Sequence, residues 1–180
     1  FAPPKFNYMT KYKIKLNGLK DGSYKKSFVI GDKFFEAFPT TEIKCVDIEA
    51  KTTLDIEKKK MKLLIDINGI VKNIPCDLCT DKINIPISHK TNFIIKKSEK
   101  SDFFDDNIIY INDNDKEIDL NKILHEMIVL AFPKKRQHKL NSVNGGECDK
   151  EMINLIDKFS TVESPKMDPR WEALKSIKIK

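Results

Sequence analysis

The chain has 180 residues, of which 33% are charged and 40% hydrophobic, and its formal net charge is +6. This composition is typical of a globular protein with a strongly charged surface, and the length leaves little room for a separate catalytic domain. The longest strongly apolar stretch, Met127 to Phe132, is far shorter than the ~20 residues that a transmembrane helix needs. The positive charge permits a nucleic-acid partner, but diffuse lysine is commonly only a solvated surface.

The chain divides into three segments by pattern. Residues 1–10 are expected to be an N-terminal extension, 11–160 a single domain, and 161–180 a linker with a C-terminal helix. The extension lacks the charged start and apolar core of a secretory signal, so we expect a cytoplasmic protein. In that compartment four cysteines favour metal binding or thiolate chemistry over a disulfide framework.

Alternation of polar and apolar residues predicts strands at the start of the domain. Lys11 to Leu16 and Tyr24 to Ile30 alternate on either side of the turn signal Asp21-Gly22-Ser23, which predicts an opening hairpin. Asp32 to Phe38 is typical of one or two helical turns that end at Pro39.

Three longer alternating segments predict the main sheet: Ile43 to Lys58, Met61 to Ile74, and Ile83 to Ile95. Short turns between them favour antiparallel pairing. The inward face of the second is expected to carry Leu63, Ile65, Ile67 and Ile70. Residues 98–107 are expected to form a polar, flexible loop, and Ile108 to Ile111 a short strand.

Helical spacing appears in the last third of the chain. Asp119 is a candidate N-cap for a helix that ends before Pro133, and Asp149 is a candidate N-cap for a second helix. Asp168 followed by Pro169 predicts the start of a third. The predicted fold class is therefore α+β, a mainly antiparallel, curved or partly barrel-like sheet with C-terminal helices packed on it.

Cys76-Asp77-Leu78-Cys79 lies between two predicted strands, and a CxxC in such a turn is a common half-site for zinc. A second pair of ligands is required, and His138 and Cys148 open and close the next glycine-containing loop. We favour Cys76, Cys79, His138 and Cys148 as a tetrahedral site. A non-metal role, such as buried apolar cysteines, stays open.

The remaining candidate ligands are weaker. Cys45 begins a strand and is expected to be a structural or surface thiol, and His89 a half-buried histidine with a partner. His125 lies opposite much of its helix's apolar stripe and is expected to be solvated. Redox catalysis by the Cys76/Cys79 pair is disfavoured, because a thioredoxin-like motif should begin a helix after a parallel strand. No phosphate-binding loop, GxSxG or HExxH motif is present.

Three ordered motifs resemble the family of large ribosomal RNA subunit accumulation proteins, the YceD family. They are the Cys76–Cys79 knuckle, Ile118-Asp119-Leu120 leading into the helix that ends at Phe132-Pro133, and Asp168-Pro169-Arg170 near the C-terminus. The resemblance covers roughly residues 11 to 178. Some relatives are similar to this chain in keeping one His and one Cys after that helix. Leu78 departs from the pattern, because the family usually has Arg there.

The resemblance implies a non-enzymatic, bacterial ribosome-biogenesis factor for accumulation or processing of 23S ribosomal RNA, acting on precursor RNA or pre-50S particles. Lys134, Lys135 and Arg136 could contact phosphates beside the zinc-type site. The alternative is a protein–protein adaptor that uses Phe103-Phe104 and a sheet edge to recruit a ribosomal or RNA-processing protein. A thiol oxidoreductase is the weakest alternative.

Overall fold

A computed structural model describes residues 11–38, 41–97, 104–105, 107–138, 143 and 146–160. The extension 1–10, most of the predicted loop 98–107 with Phe103, and the C-terminal linker and helix over 161–180 lie outside the described residues. The elements follow in chain order: β1 (Lys13–Lys15), β2 (Gly22–Gly31), α1 (Asp32–Glu36), β3 (Cys45–Glu57), β4 (Lys60–Pro75), β5 (Lys82–Lys97), β6 (Phe104–Asp105), β7 (Ile108–Ile111), β8 (Glu117–Asp119), α2 (Asn121–Ala131) and α3 (Lys150–Phe159).

The described strands form one six-stranded sheet and a small two-stranded ribbon. The order in the large sheet is β2-β3-β4-β5-β7-β6, and the ribbon pairs β1 with β8. The strands from β2 to β5 pair antiparallel in chain order; a segment that contains α1 connects β2 to β3, and short turns connect the later pairs. β7 then runs parallel to β5, with Ile94 beside Ile108, and β6 pairs antiparallel with β7. The sheet is therefore mixed.

The predicted fold class is wrong on these points. The sheet is open, neither closed nor curled into a partial barrel, and it contains a parallel pair; strands dominate the described residues. Among the described C-terminal helices, α2 packs on the sheet as expected, whereas α3 has no buried residue and does not cover it. Alternation specifies which face of a strand is buried, but it carries no information on sheet closure or on where a short strand such as β7 returns.

The predicted opening hairpin is also wrong. β2 pairs with β3, whereas β1 lies beside β8, with Ile14 opposite Ile118. The backbone N–H of Leu120 donates to the carbonyl of Tyr12 at 2.9 Å, which extends the contact into the start of α2. Local turn chemistry could not reveal this, because the partner strand lies about one hundred residues further along the chain.

One face of the large sheet holds the core. Inward-facing side chains of β3, β4 and β5 are buried and pack against α1, α2 and the ribbon. Tyr12 from the ribbon meets Phe34 of α1 edge-on at 5.1 Å between ring centroids. The opposite face carries charged and polar residues, such as Lys51 opposite Asp66. The buried side chains of these three strands are Val46, Ile48, Ala50, Thr52, Leu54, Leu63, Ile65, Ile67, Val71, Ile74, Ile83, Ile85, Ile87, Phe93 and Ile95.

Gly69, and not Ile70, continues the inward series of β4. Ile70 lies opposite Asp47 and Pro86 on the outer face, which corrects the predicted inward set. A β-carbon at Gly69 would collide with the carbonyl oxygen of Asp47 and the backbone of Ile48. Glycine is required here because β3 approaches β4 closely at this point.

Candidate metal centre

A β-bulge turns the end of β4 so that its first cysteine faces the core. Val71 pairs with Ile85, but the register shifts before Ile74 pairs with Ile83. Asn73 takes a positive φ of 59° inside this bulge, a conformation that asparagine tolerates. Without the extra residue, strict alternation from Val71 would direct Cys76 outward; with it, Cys76 is buried.

The CxxC segment forms a tight knuckle between β4 and β5. The backbone N–H of Cys76 donates to the carbonyl of Asp81 at 2.8 Å, and that of Thr80 donates to the carbonyl of Cys76 at 3.0 Å. Thr80 has a positive φ of 64°, which reverses the chain, and the N–H of Leu78 points at the Cys76 sulfur at 3.5 Å. The turn therefore directs both thiols to one side.

Asp77 and Arg136 hold the second ligand segment against the knuckle. The Asp77 N–H donates to the Arg136 carbonyl at 2.8 Å, and the Arg136 N–H donates to the Asp77 carboxylate at 2.7 Å. The Arg136 guanidinium also pairs with Asp77 at 3.1 Å and with Glu42 at 2.8 Å. The backbone N–H of Arg136 is the main cause that lowers the pKa of Asp77. This reciprocal contact places His138, two residues later, at the cysteines.

The loop after His138 returns to bring in the last ligand. The N–H of Val143 donates to the Asn84 carbonyl on β5 at 2.9 Å. Gly146 has a positive φ of 152°, and a β-carbon there would lie 3.3 Å from the His138 ring. This close approach favours glycine two residues before Cys148.

The four ligand atoms of Cys76, Cys79, His138 and Cys148 all lie within 4.8 Å of one another. The Cys148 sulfur is 3.8 Å from the Cys76 sulfur and 3.4 Å from Nδ1 of His138, which is 3.5 Å from the Cys79 sulfur. Tetrahedral zinc with ordinary bond lengths requires about 3.8 Å between two sulfurs and about 3.6 Å between sulfur and nitrogen. The donor set and its spacing therefore fit a zinc ion.

Two thiols of the cluster, those of Cys76 and Cys148, have pKa values that are shifted in opposite directions. Burial acts to raise the pKa of Cys76, but hydrogen bonds from the backbone of Cys79 and Leu78, with help from His138 and Cys79 side chains, lower it to about 6. Burial, hydrogen bonding and the charge of Cys76 and Cys79 raise the pKa of Cys148 to about 11. Thiolates repel one another here in the absence of a cation, and a divalent ion would favour their joint deprotonation.

The three basic residues beside the cluster differ in exposure and in contacts. Lys134 and Lys135 are exposed and directed to solvent, whereas the Arg136 side chain is held by Asp77 and Glu42. Leu78 is half-buried and lines a cavity of about 350 Å³ beside the cluster.

The other candidate ligands lie apart from the cluster. Cys45 is half-buried at the start of β3. His89 is half-buried, and its Nε2 lies 2.9 Å from the Thr91 hydroxyl, which confirms the expectation of a partner. The expectation that His125 is solvated is wrong: its Nε2 is buried, and its ring stacks on Phe38 at 4.0 Å. Phe38 follows α1 and is distant in sequence from α2, so helical spacing within α2 could not predict this contact.

The family model described as "Large ribosomal RNA subunit accumulation protein YceD" matches residues 65–178. This range begins within β4 and includes every residue of the cluster. The chain belongs to this family. The YceD description names an accumulation role in large ribosomal RNA and no chemical reaction. No curated protein and no solved structure matches the chain.

Among the residues that the structure describes, no helix is both long enough and apolar enough to cross a bilayer.

Proposed function

We propose that this chain is a non-enzymatic assembly factor that binds precursor 23S ribosomal RNA or pre-50S particles and promotes accumulation or processing of that RNA. Membership of the YceD family is the observation that carries the proposal. The site also supports RNA binding, because two exposed lysines that could contact phosphates lie beside a cluster that suits a structural ion.

Zinc in this cluster would have a structural role. Four protein side chains fill the four positions of a tetrahedron, which leaves no open position for a water or a substrate. The residues that would hold the ion are Cys76 and Cys79 from the β4–β5 turn, with His138 and Cys148 from the segment after α2. The ion would join these two segments at one end of the sheet.

Lys134 and Lys135 are the best candidates for RNA contact. They follow Pro133 at the end of α2 and are exposed, and the Asp77–Arg136 contact fixes the backbone next to them. Lysine ammonium groups bind phosphates as point charges without reading bases. We therefore infer that the chain recognises the RNA backbone and shape, with Arg136 positioning this surface through Asp77.

The double variant Lys134→Glu with Lys135→Glu tests this contact. We expect it to lose co-sedimentation with pre-50S particles and to bind precursor RNA with a weaker salt dependence, because two phosphate contacts are replaced by repulsion. Arg136 is left unchanged, since replacing it would also break the pairs with Asp77 and Glu42.

A matched control changes Lys59 and Lys60 to Glu. This adjacent lysine pair lies in the turn at the opposite end of β4, about 50 Å of strand away. The control gives the same change in net charge, so it should sediment like the parent. Equal sedimentation of both double variants would exclude Lys134 and Lys135 as the contact. Particle binding that survives nuclease treatment would instead favour the protein adaptor.

Elemental analysis tests the ion. We expect about one zinc per chain, as a tetrahedral four-ligand site holds one ion, and loss of that zinc in Cys76→Ser. Cys45→Ser is the matched control, because Cys45 is the one cysteine outside the cluster, and it should keep the parent's zinc content. A folded, metal-free parent would refute the zinc site and leave the RNA test unaffected.

A further inference from the structure

The α3 helix is amphipathic, but its apolar stripe has almost nothing to cover it among the described residues. Met152 packs against the edge of the core, while Ile156 and Phe159, one and two turns further on, are 37% and 73% exposed. A ten-residue helix gains most of its stability from such a stripe, so an unpartnered stripe is an unfavourable arrangement in water.

A cavity lies beside this stripe at the start of α3. Its volume is about 350 Å³, and its lining includes Leu78 from the knuckle, Cys148 from the cluster, and Ile153 from α3. Its other lining residues, Gln137, Glu147, Lys150 and Asn154, are polar. The cavity meets the stripe at Ile153, which lies about one turn before Ile156, and we name the surface formed by Leu78, Ile153, Ile156 and Phe159 the α3 groove. A single apolar side chain at the cavity and a second along the stripe would cover it.

We infer that the chain's own C-terminal segment, residues 168–177, docks in the α3 groove as a short helix. The segment begins with the helix-start pattern Asp168-Pro169, and Trp171, Leu174 and Ile177 recur at a spacing of three residues. Those three side chains would lie along one helical face, and the indole of Trp171 is large enough to bury roughly 150–250 Å² in the cavity.

The connection has a suitable length. The helix α3 ends at Phe159, and residues 160–167 separate it from the docking segment. Eight extended residues reach about 26–29 Å, whereas the ten residues of α3 span about 15 Å. The linker can therefore run back past α3 as far as the cavity. A docked helix that starts there and runs parallel to α3 would place Trp171 near Ile153 and direct Leu174 toward Ile156. Helix–helix connections of this length are common.

The family match supports a single unit. It runs without a break from β4 through the cluster and α3 to residue 178, which includes the docking segment and both walls of the groove. Docking would place the C-terminal segment directly over the cluster, since Leu78 and Cys148 line the cavity. The segment would then protect the cluster from solvent, independently of any RNA contact.

Trp171 is the chain's one tryptophan, so its fluorescence reports docking in the full-length protein. We expect blue-shifted emission that acrylamide quenches several-fold less than free tryptophan. Phe159→Asn and Ile153→Asn should each shift the emission to longer wavelength and increase quenching. Phe159 is largely exposed on α3, so its replacement keeps the fold. Val29→Asn, an exposed apolar residue on the edge strand β2, is the matched control and should leave the emission unchanged.

Three results would overturn the inference. One is a parent protein whose Trp171 emission and quenching equal those of free tryptophan. Another is unchanged fluorescence in both groove variants, with circular dichroism showing that they are folded. The third is a blue shift that disappears on dilution, which would assign the α3 groove to a second copy of the chain.

Discussion

The His125 side chain makes a favourable ring contact, but it also buries a ring nitrogen without a hydrogen bond among the described residues. Its ring stacks on Phe38 at 4.0 Å and lies 5.9 Å from Phe35, but its buried Nε2 has no hydrogen-bond partner among the described residues. An unpaired buried polar atom typically reduces stability by about 1–3 kcal/mol. Burial also lowers the pKa of His125, against the opposing influence of Glu126.

This arrangement makes stability depend on pH. Above the ordinary pKa of about 6.5, His125 is neutral in both states and contributes no pH dependence. As the pH falls below that value, the unfolded chain takes up a proton that the folded chain resists. The free energy of unfolding should therefore decrease between about pH 6.5 and the lowered pKa of the folded state.

His125→Phe tests both effects in urea unfolding. We expect the free energy of unfolding at pH 7 to rise by about 1 kcal/mol, because the aromatic contact is kept and the unpaired nitrogen is removed. The loss of stability between about pH 7 and pH 5 should also become smaller. A profile for His125→Phe equal to the parent's would contradict the explanation.

The cluster shows how far residue patterns alone could predict a site. The ligand set was predicted from the CxxC knuckle and a His and a Cys at the ends of a glycine-containing loop. The same pattern gave no indication that Arg136 is held by Asp77 and Glu42, because ion pairs between distant segments leave no local spacing signal. Its predicted RNA contact remains a proposal in which Lys134 and Lys135 are the exposed members.

At the scale of elements, sequence alternation predicted the strands well and their arrangement poorly. The predicted strand Ile43 to Lys58 corresponds to β3, Cys45–Glu57, and Ile108 to Ile111 corresponds to β7. Side-chain alternation comes directly from strand geometry, so it can be read from sequence. Pairing of β1 with β8, and of β7 with β5, depends on packing between distant segments.

The β4 strand departs from simple alternation at two positions. The bulge at Asn73 reverses the inward series before Cys76, and Gly69 replaces an apolar residue where β3 comes close. An asparagine and a glycine inside a strand are weak signals when read alone. The bulge aims the first ligand inward, so a local irregularity of β4 determines the position of the cluster.

Gly69→Ala should weaken the contact between β3 and β4. The added methyl group would collide with backbone atoms of Asp47 and Ile48, which cannot move without disturbing the ladder. We expect the free energy of unfolding to fall by about 1–3 kcal/mol, the usual cost of overpacking.

Gly31→Ala is the matched control for this change. A β-carbon at Gly31 meets no atom within 4 Å, so only the lower preference for alanine at the N-cap of α1 should act, and its effect should stay within about 1 kcal/mol. Chemical denaturation of both variants measures the difference, and equal stability would show that the β3–β4 approach relaxes easily.

For the whole molecule, the cluster joins two regions of very different intrinsic stability. The large sheet has an extensive buried core that does not depend on the four ligands. The α3 helix has no buried residue and contacts the core through Met152. It begins at its N-cap Asp149, whose carboxylate accepts from the Glu151 N–H at 2.7 Å, directly after the ligand Cys148. A bound ion would therefore order α3 by fixing the residue before its cap.

Removal of the ion should loosen α3 and leave the sheet folded. After zinc is extracted with a chelator, we expect amide hydrogen exchange in Lys150–Phe159 to become several-fold faster, because the residue before the N-cap is released and only packing in the α3 groove still holds this short helix. Exchange in β3 and β4 should stay slow, since their core is intact. Cys45→Ser treated in parallel should respond like the parent. Protection of α3 that survives full zinc removal would mean that packing in the α3 groove, and not the ion, orders the end of the chain.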